Sequence, residues 1–304
     1  LAPGNVGDPQ LKPEISSEIE IGGEIGILND RVAFDFQYWD RSVEDALIQR
    51  AYAPSGGFFR TQLSNIGELK ASGWEAGVEA TVLRTSDYSF NFSGSISYLE
   101  EEVVSLGGAP EQKVGGSYPR YRNFLTEGWA PGSYFGAKLD RSTDYPIDIN
   151  GDGAADSEAA LLSFFTTGGG GVRSGWNPVM ATPTQADVDA GRAKGTGSLD
   201  WYLGKPTPDY SATFGGNATY GKNWRFNVLF ESRFGNYDVT NLTDAFRKSH
   251  GLIGRNTPDA AQAESDLINP AKAGQDRMDA ARDWVTTYLA LSPYSGLNTI
   301  EDAS

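Results

Sequence analysis

The chain has 304 residues, of which 39% are hydrophobic, and a formal net charge of −15. This charge argues against a nucleic-acid partner, which would need clustered Lys and Arg. The single histidine, His250, disfavours triads and multi-histidine metal sites, while carboxylate-only chemistry stays open. No apolar run approaches the ~18 residues of a transmembrane helix, and the absence of cysteine fits a periplasm-exposed or outer-membrane protein.

The first two predicted elements are strands that form a hairpin. Isoleucines alternate with glutamates between residues 18 and 27, and aromatic residues alternate with polar ones between 32 and 38. Alternation with a period of two is typical of strands with two different faces. The turn Asn29-Asp30 between them is a hairpin signal.

Two more pairs of strands follow the same pattern. The first pair covers 74–82 and 88–98, joined by a short turn at Ser86-Asp87, and its second strand reads YSFNFSGSISYLE. The second pair covers 210–220 and 224–234 and is joined at residues 221–223. A barrel strand can span a membrane in this way, because only alternate residues need be apolar.

The connections between these pairs are long. They run roughly over 49–64, 103–120, 140–205 and from 238 to the end. One more tight turn, placed at residues 130–132, makes short and long connections alternate strictly and predicts eight strands. In an antiparallel barrel this alternation puts all short turns at one rim and all long loops at the other, as outer-membrane barrels show.

The apolar faces of the predicted strands carry aromatic residues at both ends. The pairs are Tyr88 and Tyr98, Tyr210 and Tyr220, and Trp224 and Phe234. Such girdles are expected of a lipid-facing band, and the opposite faces, with Glu, Asp, Arg and Asn, suit a wet interior. The alternative is a secreted sandwich with a solvated polar face. We therefore predict an all-β fold: an antiparallel transmembrane β-barrel segment with long extracellular loops that carry short helices.

Two segments of the last loop have helical patterns. Pro258 to Ile268 follow Thr257, a good N-cap residue, and stop before Pro270. Residues 271–290 place Met278, Ala281, Val285 and Leu289 near one face.

The stretch DINGDGAAD has the spacing of a calcium-binding loop. Its predicted ligands are Asp148, Asn150, Asp152, the carbonyl of Ala154, and Asp156. Gly153 allows the sharp turn that such loops need, but the twelfth position is Ala159 rather than a bidentate Glu. The hypothesis is therefore weak Ca²⁺ binding, and the alternative is an Asp/Gly turn without an ion.

Several aromatic residues lie in or beside the loops rather than in the membrane band. They are Tyr52, Phe58, Phe59, Trp176, Trp201 and Tyr202. Such rings stack against sugar or peptide ligands, which makes these residues candidates for substrate binding. The alternative is that they pack the loops against each other or against a lid protein.

The segment LKPEISSEIEIGGEIGILNDRVAFDFQYWDRSVEDALI closely resembles a stretch of the SusC-like (RagA-like) TonB-dependent outer-membrane transporters. Further blocks resemble the same family in the same order. They are NIGELKASGWEAGVEATV, EGWAPGSYFGAKLD, DINGDGAAD, LGKPTPDYSATFGGNATYGKNWRFNVLFESRFG and TIEDAS.

The resemblance implies energised import of bulky nutrients, often oligosaccharides or peptides, across the outer membrane. It implies a protein that is not an enzyme and that contacts outer-membrane lipid, a SusD-like surface lipoprotein acting as a lid, and TonB through a plug domain. On this interpretation residues 1–304 are part of the barrel, 140–205 and 238–304 are long extracellular loops, and the plug and last strands lie outside this sequence. The alternatives are a siderophore or cobalamin receptor, and a structural or adhesive surface β protein.

Overall fold

The structure, a computed structural model, describes residues 7–51, 61–114, 122–166, 177–240, 258–286 and 300–304. The long strands of this part are β1 (Ile15–Ile27), β2 (Val32–Ala51), β3 (Thr61–Arg84) and β4 (Tyr88–Ser105). Six short strands follow: β5 (Gln112–Lys113), β6 (Asn123–Leu125), β7 (Ser133–Gly136), β8 (Ile147–Asp148), β9 (Asn177–Pro178) and β10 (Trp201–Gly204). The chain continues with β11 (Tyr210–Tyr220), β12 (Trp224–Phe234), β13 (Asp238–Thr240) and β14 (Ile300–Asp302). The helices are α1 (Glu158–Thr166), α2 (Gln185–Asp189), α3 (Pro258–Ile268) and α4 (Gln275–Trp284).

The main sheet is antiparallel and has six strands in the order β1-β2-β3-β4-β11-β12. It confirms all six strands that the alternating pattern predicts. The β1–β2 turn has positive φ angles of 57°, 55° and 59° at Leu28, Asn29 and Asp30. Asn and Asp tolerate this left-handed conformation better than other non-glycine residues, which explains why the chain turns there.

The predicted turn at residues 130–132 joins two strands, but the prediction that they belong to the barrel is wrong. β6 and β7 lie in a separate four-stranded sheet with the order β10-β7-β6-β5, and β4 pairs directly with β11. With three and four residues, they are far shorter than the 9–11 residues of a spanning strand. The main sheet of the described chain therefore has six strands rather than eight.

Short and long connections nevertheless alternate strictly in the six-stranded sheet. The short ones, 28–31, 85–87 and 221–223, lie together at one end, where Gly221 N–H donates to the Asp87 carbonyl at 2.7 Å and Thr81 N–H donates to the Arg31 carbonyl at 2.7 Å. The long connection 106–209 lies at the other end. The predicted separation of turns and loops is therefore confirmed for these connections.

β2 and β3 extend well beyond the level at which β4 meets β11. The register between them shifts near Asp45, which has a φ of 58°. Past this irregularity Ile48 packs with Val103 and Leu106 in a small core that ties the extension to the loop side of β4. The sequence pattern does not predict this extension.

A second core, called the joint loop core below, lies in the loops and joins two distant parts of the chain. Leu161 and Phe165 of α1 pack with Leu267 of α3 and with Met278 and Trp284 of α4. The helix 258–268 is confirmed, whereas the predicted helix 271–290 is observed only as Gln275–Trp284, and its residues beyond 286 lie outside the described chain. None of the helices in the described ranges is long and apolar enough to cross a membrane.

Candidate functional site

One side of the main sheet, called the apolar face below, carries a row of aromatic rings on its loop side. Trp74, Tyr98, Tyr210 and Phe234 follow one another across β3, β4, β11 and β12. Their ring centroids are 6.2, 5.1 and 5.3 Å apart in that order. Because each ring touches the next, the row forms a continuous aromatic band.

A second aromatic row lies near the short turns. Tyr88 stacks on Tyr220 at 5.1 Å between centroids, and Trp224 lies opposite Tyr220 in the register. From Tyr88 to Tyr98 the strand advances roughly 33 Å at about 3.3 Å per residue. A tilt of about 40° reduces this to a height of about 25 Å, the usual height of the lipid-facing band in outer-membrane barrels.

Between the two rows the apolar face is exposed. Phe226 and Phe230 of β12 keep 55% and 54% of their surface accessible, and Phe34, Phe90 and Phe92 are also exposed. A sandwich would bury such a face, and soluble monomers rarely expose so large an apolar patch. The surface therefore fits lipid contact and disfavours the sandwich.

The opposite side, called the polar face below, is held by hydrogen bonds between side chains of β3, β4 and β11. Thr81 Oγ1 donates to Asn91 Oδ1 at 3.1 Å, and Asn91 Nδ2 donates to Asn217 Oδ1 at 3.0 Å. Hydroxyl pairs join β4 and β11 on either side of these amides, at Ser95–Thr213 (2.6 Å) and Ser89–Thr219 (2.5 Å). These uncharged groups satisfy one another and leave a hydrophilic surface.

The polar face becomes acidic towards β1. Its carboxylates there are Glu18, Glu20, Glu24, Asp35, Glu75 and Glu79. Two of them have partners on β2: Glu18 forms an ion pair with Arg41, and Glu20 accepts a hydrogen bond from Gln37. This part of the wall therefore combines charge with organised donors and acceptors.

The predicted calcium loop folds into a compact turn around Asp148. The Asp148 side chain is 4% exposed and accepts the backbone N–H groups of Gly153 (2.9 Å), Gly151 (2.6 Å) and Asn150 (3.1 Å). These bonds, with that of Gly153 the strongest influence, hold the pKa of Asp148 below its usual value.

Across the same loop, Asn150 Nδ2 donates to Asp156 Oδ1 at 2.9 Å, and Asp152 Oδ1 accepts the Ala154 N–H at 2.8 Å. No group of three or more His, Cys, Asp or Glu side chains in the described ranges is placed to hold a metal ion. The predicted oxygens therefore serve backbone donors and Asn150, and calcium binding by the loop stays a prediction.

Of the predicted substrate-binding aromatics, Tyr52, Phe58, Phe59 and Trp176 lie outside the described residues. Trp201 Nε1 donates to the Ala181 carbonyl at 2.8 Å, and the Lys138 amine lies 5.0 Å from its ring. Both contacts hold loop segments together.

Tyr202 packs on Trp129, with 4.6 Å between ring centroids, and lines an open cleft of about 610 Å³. Burial, followed by the carboxylates Asp238 and Asp209, raises the pKa of Tyr202 to about 12. The acidic residues of the cleft are Glu100, Glu101, Asp209, Asp238 and Asp302. Substrate binding by Trp201 and Tyr202 stays a prediction.

An apolar face bounded by two aromatic rows, a hydrogen-bonded polar face, and turns and loops at opposite ends define the class of this structure. They are the features of a β-barrel wall that spans an outer membrane. In the described chain the barrel is not closed, because β1 and β12 are the two outer strands of the sheet.

Comparison with known proteins identifies the family. A family model described as "TonB dependent receptor-like, beta-barrel" matches residues 2–167, more than half of the 304 residues. The chain therefore belongs to the TonB-dependent receptor β-barrel family, whose members are outer-membrane receptors and transporters rather than enzymes.

Curated relatives support this assignment. TonB-dependent receptor P3 of Formosa agariphila is 24% identical over 292 residues, which cover 93% of this chain and 26% of the relative. TonB-dependent receptor SusC of Bacteroides thetaiotaomicron is 26% identical over 165 residues, covering 48% of this chain and 16% of SusC. The chain thus spans about a quarter of the length of P3 and less of SusC.

Solved structures show the same fold. The RagAB peptide transporter matches with a TM-score of 0.55 and 19% identity, covering 80% of this chain and 24% of the matched chain. The RagAB peptide importer in its "open-open" state matches with a TM-score of 0.57 and 20% identity, covering 82% and 23%. The SusC-like or RagA-like architecture expected from the sequence is therefore confirmed.

Proposed function

We propose that this chain forms part of the wall of an outer-membrane transporter that imports bulky nutrients, oligosaccharides or peptides, with energy delivered by TonB. The observation that carries the proposal is the two-faced main sheet. Its apolar face fits a lipid band of about 25 Å, and its polar face supplies a hydrophilic surface along which cargo moves. Names of the similar proteins, SusC and the RagAB peptide importer, support import over a purely structural role.

In this proposal the long connections face the cell exterior and the short turns face the periplasm, as is usual for outer-membrane barrels. The exterior loops bear a SusD-like surface lipoprotein as a lid. A plug domain elsewhere in the whole protein transmits the pull of TonB. The protein does no covalent chemistry on its cargo.

The joint loop core supports a firm platform for such a lid. The Tyr145 hydroxyl donates to Asp279 Oδ1 at 2.7 Å, and the Arg282 guanidinium lies 5.5 Å from the Tyr145 ring. These contacts join the 140–205 loop to the 238–304 loop. Trp284, however, is 2% exposed within this core, so its side chain packs the loops against each other and does not offer a surface to a partner.

The test uses the full-length protein in its outer membrane, with and without TonB. Uptake of labelled oligosaccharides and peptides should require both the transporter and TonB, and the cargo should reach the periplasm chemically unchanged. A lipoprotein should copurify and crosslink to the loops. TonB-dependent uptake of a siderophore or cobalamin instead, or no uptake of any of these, contradicts the proposal.

A further inference from the structure

Trp39 is a tryptophan on the polar face of the main sheet, where its strand neighbours are Gln37 and Arg41. Its indole lies against β3 at Gly73. A Cβ atom at Gly73 would be 2.3 Å from the backbone carbonyl oxygen of Tyr98, 2.9 Å from Cζ2 and 3.0 Å from Cε2 of Trp39, so a side chain there would meet both the backbone of β4 and the indole. Because glycine has no side chain, it leaves room for the half-buried indole to lie against the backbone of β3.

The ring is surrounded by polar groups that are already positioned. The Arg41 guanidinium carbon lies 5.6 Å from the centre of the Trp39 ring and is held by its ion pair with Glu18. Glu20 lies directly opposite Trp39 in the register and accepts a hydrogen bond from Gln37. Each carboxylate keeps further lone pairs for another donor.

Such a surface suits one class of ligand particularly well. A sugar ring presents an apolar C–H face that stacks on an aromatic ring, and hydroxyl groups that both donate and accept hydrogen bonds. The indole, the carboxylates, the amide and the guanidinium provide the matching partners. An apolar peptide side chain would need an apolar pocket, whereas the strand and register neighbours of Trp39 here are Gln37, Arg41 and Glu20.

We propose that Trp39, with Glu18, Glu20, Gln37 and Arg41, forms a contact on the barrel interior for a sugar unit of an imported oligosaccharide. The proposal rests on the proposed transport function. Trp39 adjoins Tyr38, which lies opposite Trp74 in the loop-side aromatic row. Cargo passing from the loops into the membrane-spanning part therefore meets this contact early.

The experiment measures binding and uptake by the full-length protein in cells. Binding is measured without TonB, so that transport is off, and uptake is measured with TonB. The probes are fluorescent hexasaccharides of glucose, xylose and mannose, and a labelled tryptic digest of casein. The variants are Trp39→Ala, Trp39→Phe and, as a matched control on the apolar face of the same strand, Phe36→Ala. Heat-modifiable migration on gels shows that each barrel has folded.

Trp39→Ala should weaken binding of the recognised hexasaccharide about tenfold or more, the effect of losing one aromatic stacking contact. Trp39→Phe should restore most of the affinity, and Phe36→Ala should bind like the wild type. Wild-type affinity in a folded Trp39→Ala protein that still transports saccharide overturns this inference alone. Binding of the peptide digest without any hexasaccharide also overturns it, while peptide import upholds the proposed function. If the wild type binds neither probe class, both proposals fail together.

Discussion

Tyr98 and Tyr210 lie directly opposite each other on β4 and β11, with ring centroids 5.1 Å apart, although β5 to β10 lie between them in the chain. This contact is the first pair of the register in which the chain returns to the main sheet after its longest connection. A slip by one residue would move every apolar side chain of β11 to the polar face. The aromatic pair therefore helps to fix which side of β11 meets lipid.

The orientation of the sheet can be tested at neighbouring positions of β4. Phe92 lies on the apolar face near the middle of the band, and Ser93 lies on the polar face. Phe92→Arg should destabilise the folded protein by roughly 2–4 kcal/mol, because it places a charge against the lipid midplane. Ser93→Arg should be tolerated. The measurement is reversible folding of the whole protein into lipid vesicles, and equal tolerance of both changes would show that the assigned orientation is wrong.

The joint loop core predicts coupling between distant segments. Trp284→Ala removes a buried ring from this core, and Phe or Trp to Ala changes in cores cost about 3–5 kcal/mol. Hydrogen exchange should therefore accelerate in α1 as well as in α4. Exchange in β3 and β4 should stay unchanged.

The matched control for the joint core is Asp276→Asn, at an exposed position of the same helix, α4. It should leave the exchange of α1 as in the wild type. Acceleration confined to α4 in the Trp284→Ala protein would mean that the two loops are stabilised independently.

Calcium binding by the loop around Asp148 can be measured by titration calorimetry. We expect a dissociation constant on the order of 10⁻⁴–10⁻³ M, the class of extracellular modules. Asp152→Asn should weaken it, because a carboxylate ligand is lost at an exposed position whose replacement leaves the bonds of Asp148 in place. Asp144→Asn, an exposed carboxylate just before the loop, is the control. Identical titrations of the two variants would remove Asp152 from the ligand set.

The raised pKa of Tyr202 should make the stability of the folded protein depend on pH in the alkaline range. The pKa of Tyr202 is about 12 in the folded protein and near 10 in an unfolded chain. Between about pH 10 and pH 12 the folded protein therefore keeps the phenol proton, whereas the unfolded chain loses it. The contribution of this group to stability is therefore fully present below about pH 10 and is lost as the pH rises through about 12.

Absorbance at 295 nm reports tyrosine ionisation. The difference between the wild type and Tyr202→Phe should have its midpoint near pH 12 in the folded protein and near pH 10 in denaturant. A midpoint near 10 in both states would show that burial and the carboxylates of Asp209 and Asp238 do not act on Tyr202.

The strands of the main sheet could be predicted because each has one lipid-facing and one polar side. Apolar and polar residues therefore alternate along the sequence of each strand. The helix 258–268 could be predicted from its cap and its terminating proline. The short strands β6 and β7 also follow a turn signal, but local pattern does not reveal which sheet a strand joins. That choice depends on β4 pairing with β11, a contact between segments far apart in the chain.

The contacts between the loops could not be predicted either, because they also join segments that are far apart in the chain. Leu161 and Trp284 belong to different loops and share one core, which no local periodicity can indicate. The position of Trp39 on the polar face, in contrast, can be read from the sequence, because Trp39 continues the polar series of Asp35 and Gln37 at every second residue. This position departs from the general rule that aromatic residues of barrel strands lie on the lipid-facing side.

The extension of β2 and β3 makes the described part of the main sheet protrude unequally beyond the two aromatic rows. From Trp74 to Thr61, β3 advances about 43 Å along its length at about 3.3 Å per residue. At a tilt of about 40° this is a height of about 33 Å above the loop-side aromatic row, far past a headgroup layer of about 5–8 Å. On the other side β3 ends at Arg84 and returns through a three-residue turn, almost flush with the lipid. Because the chain has no cysteine, single cysteines can report this difference. In the proposed orientation, a thiol reagent that cannot cross the outer membrane should label Thr61→Cys on intact cells and should reach Lys222→Cys only after the cells are broken.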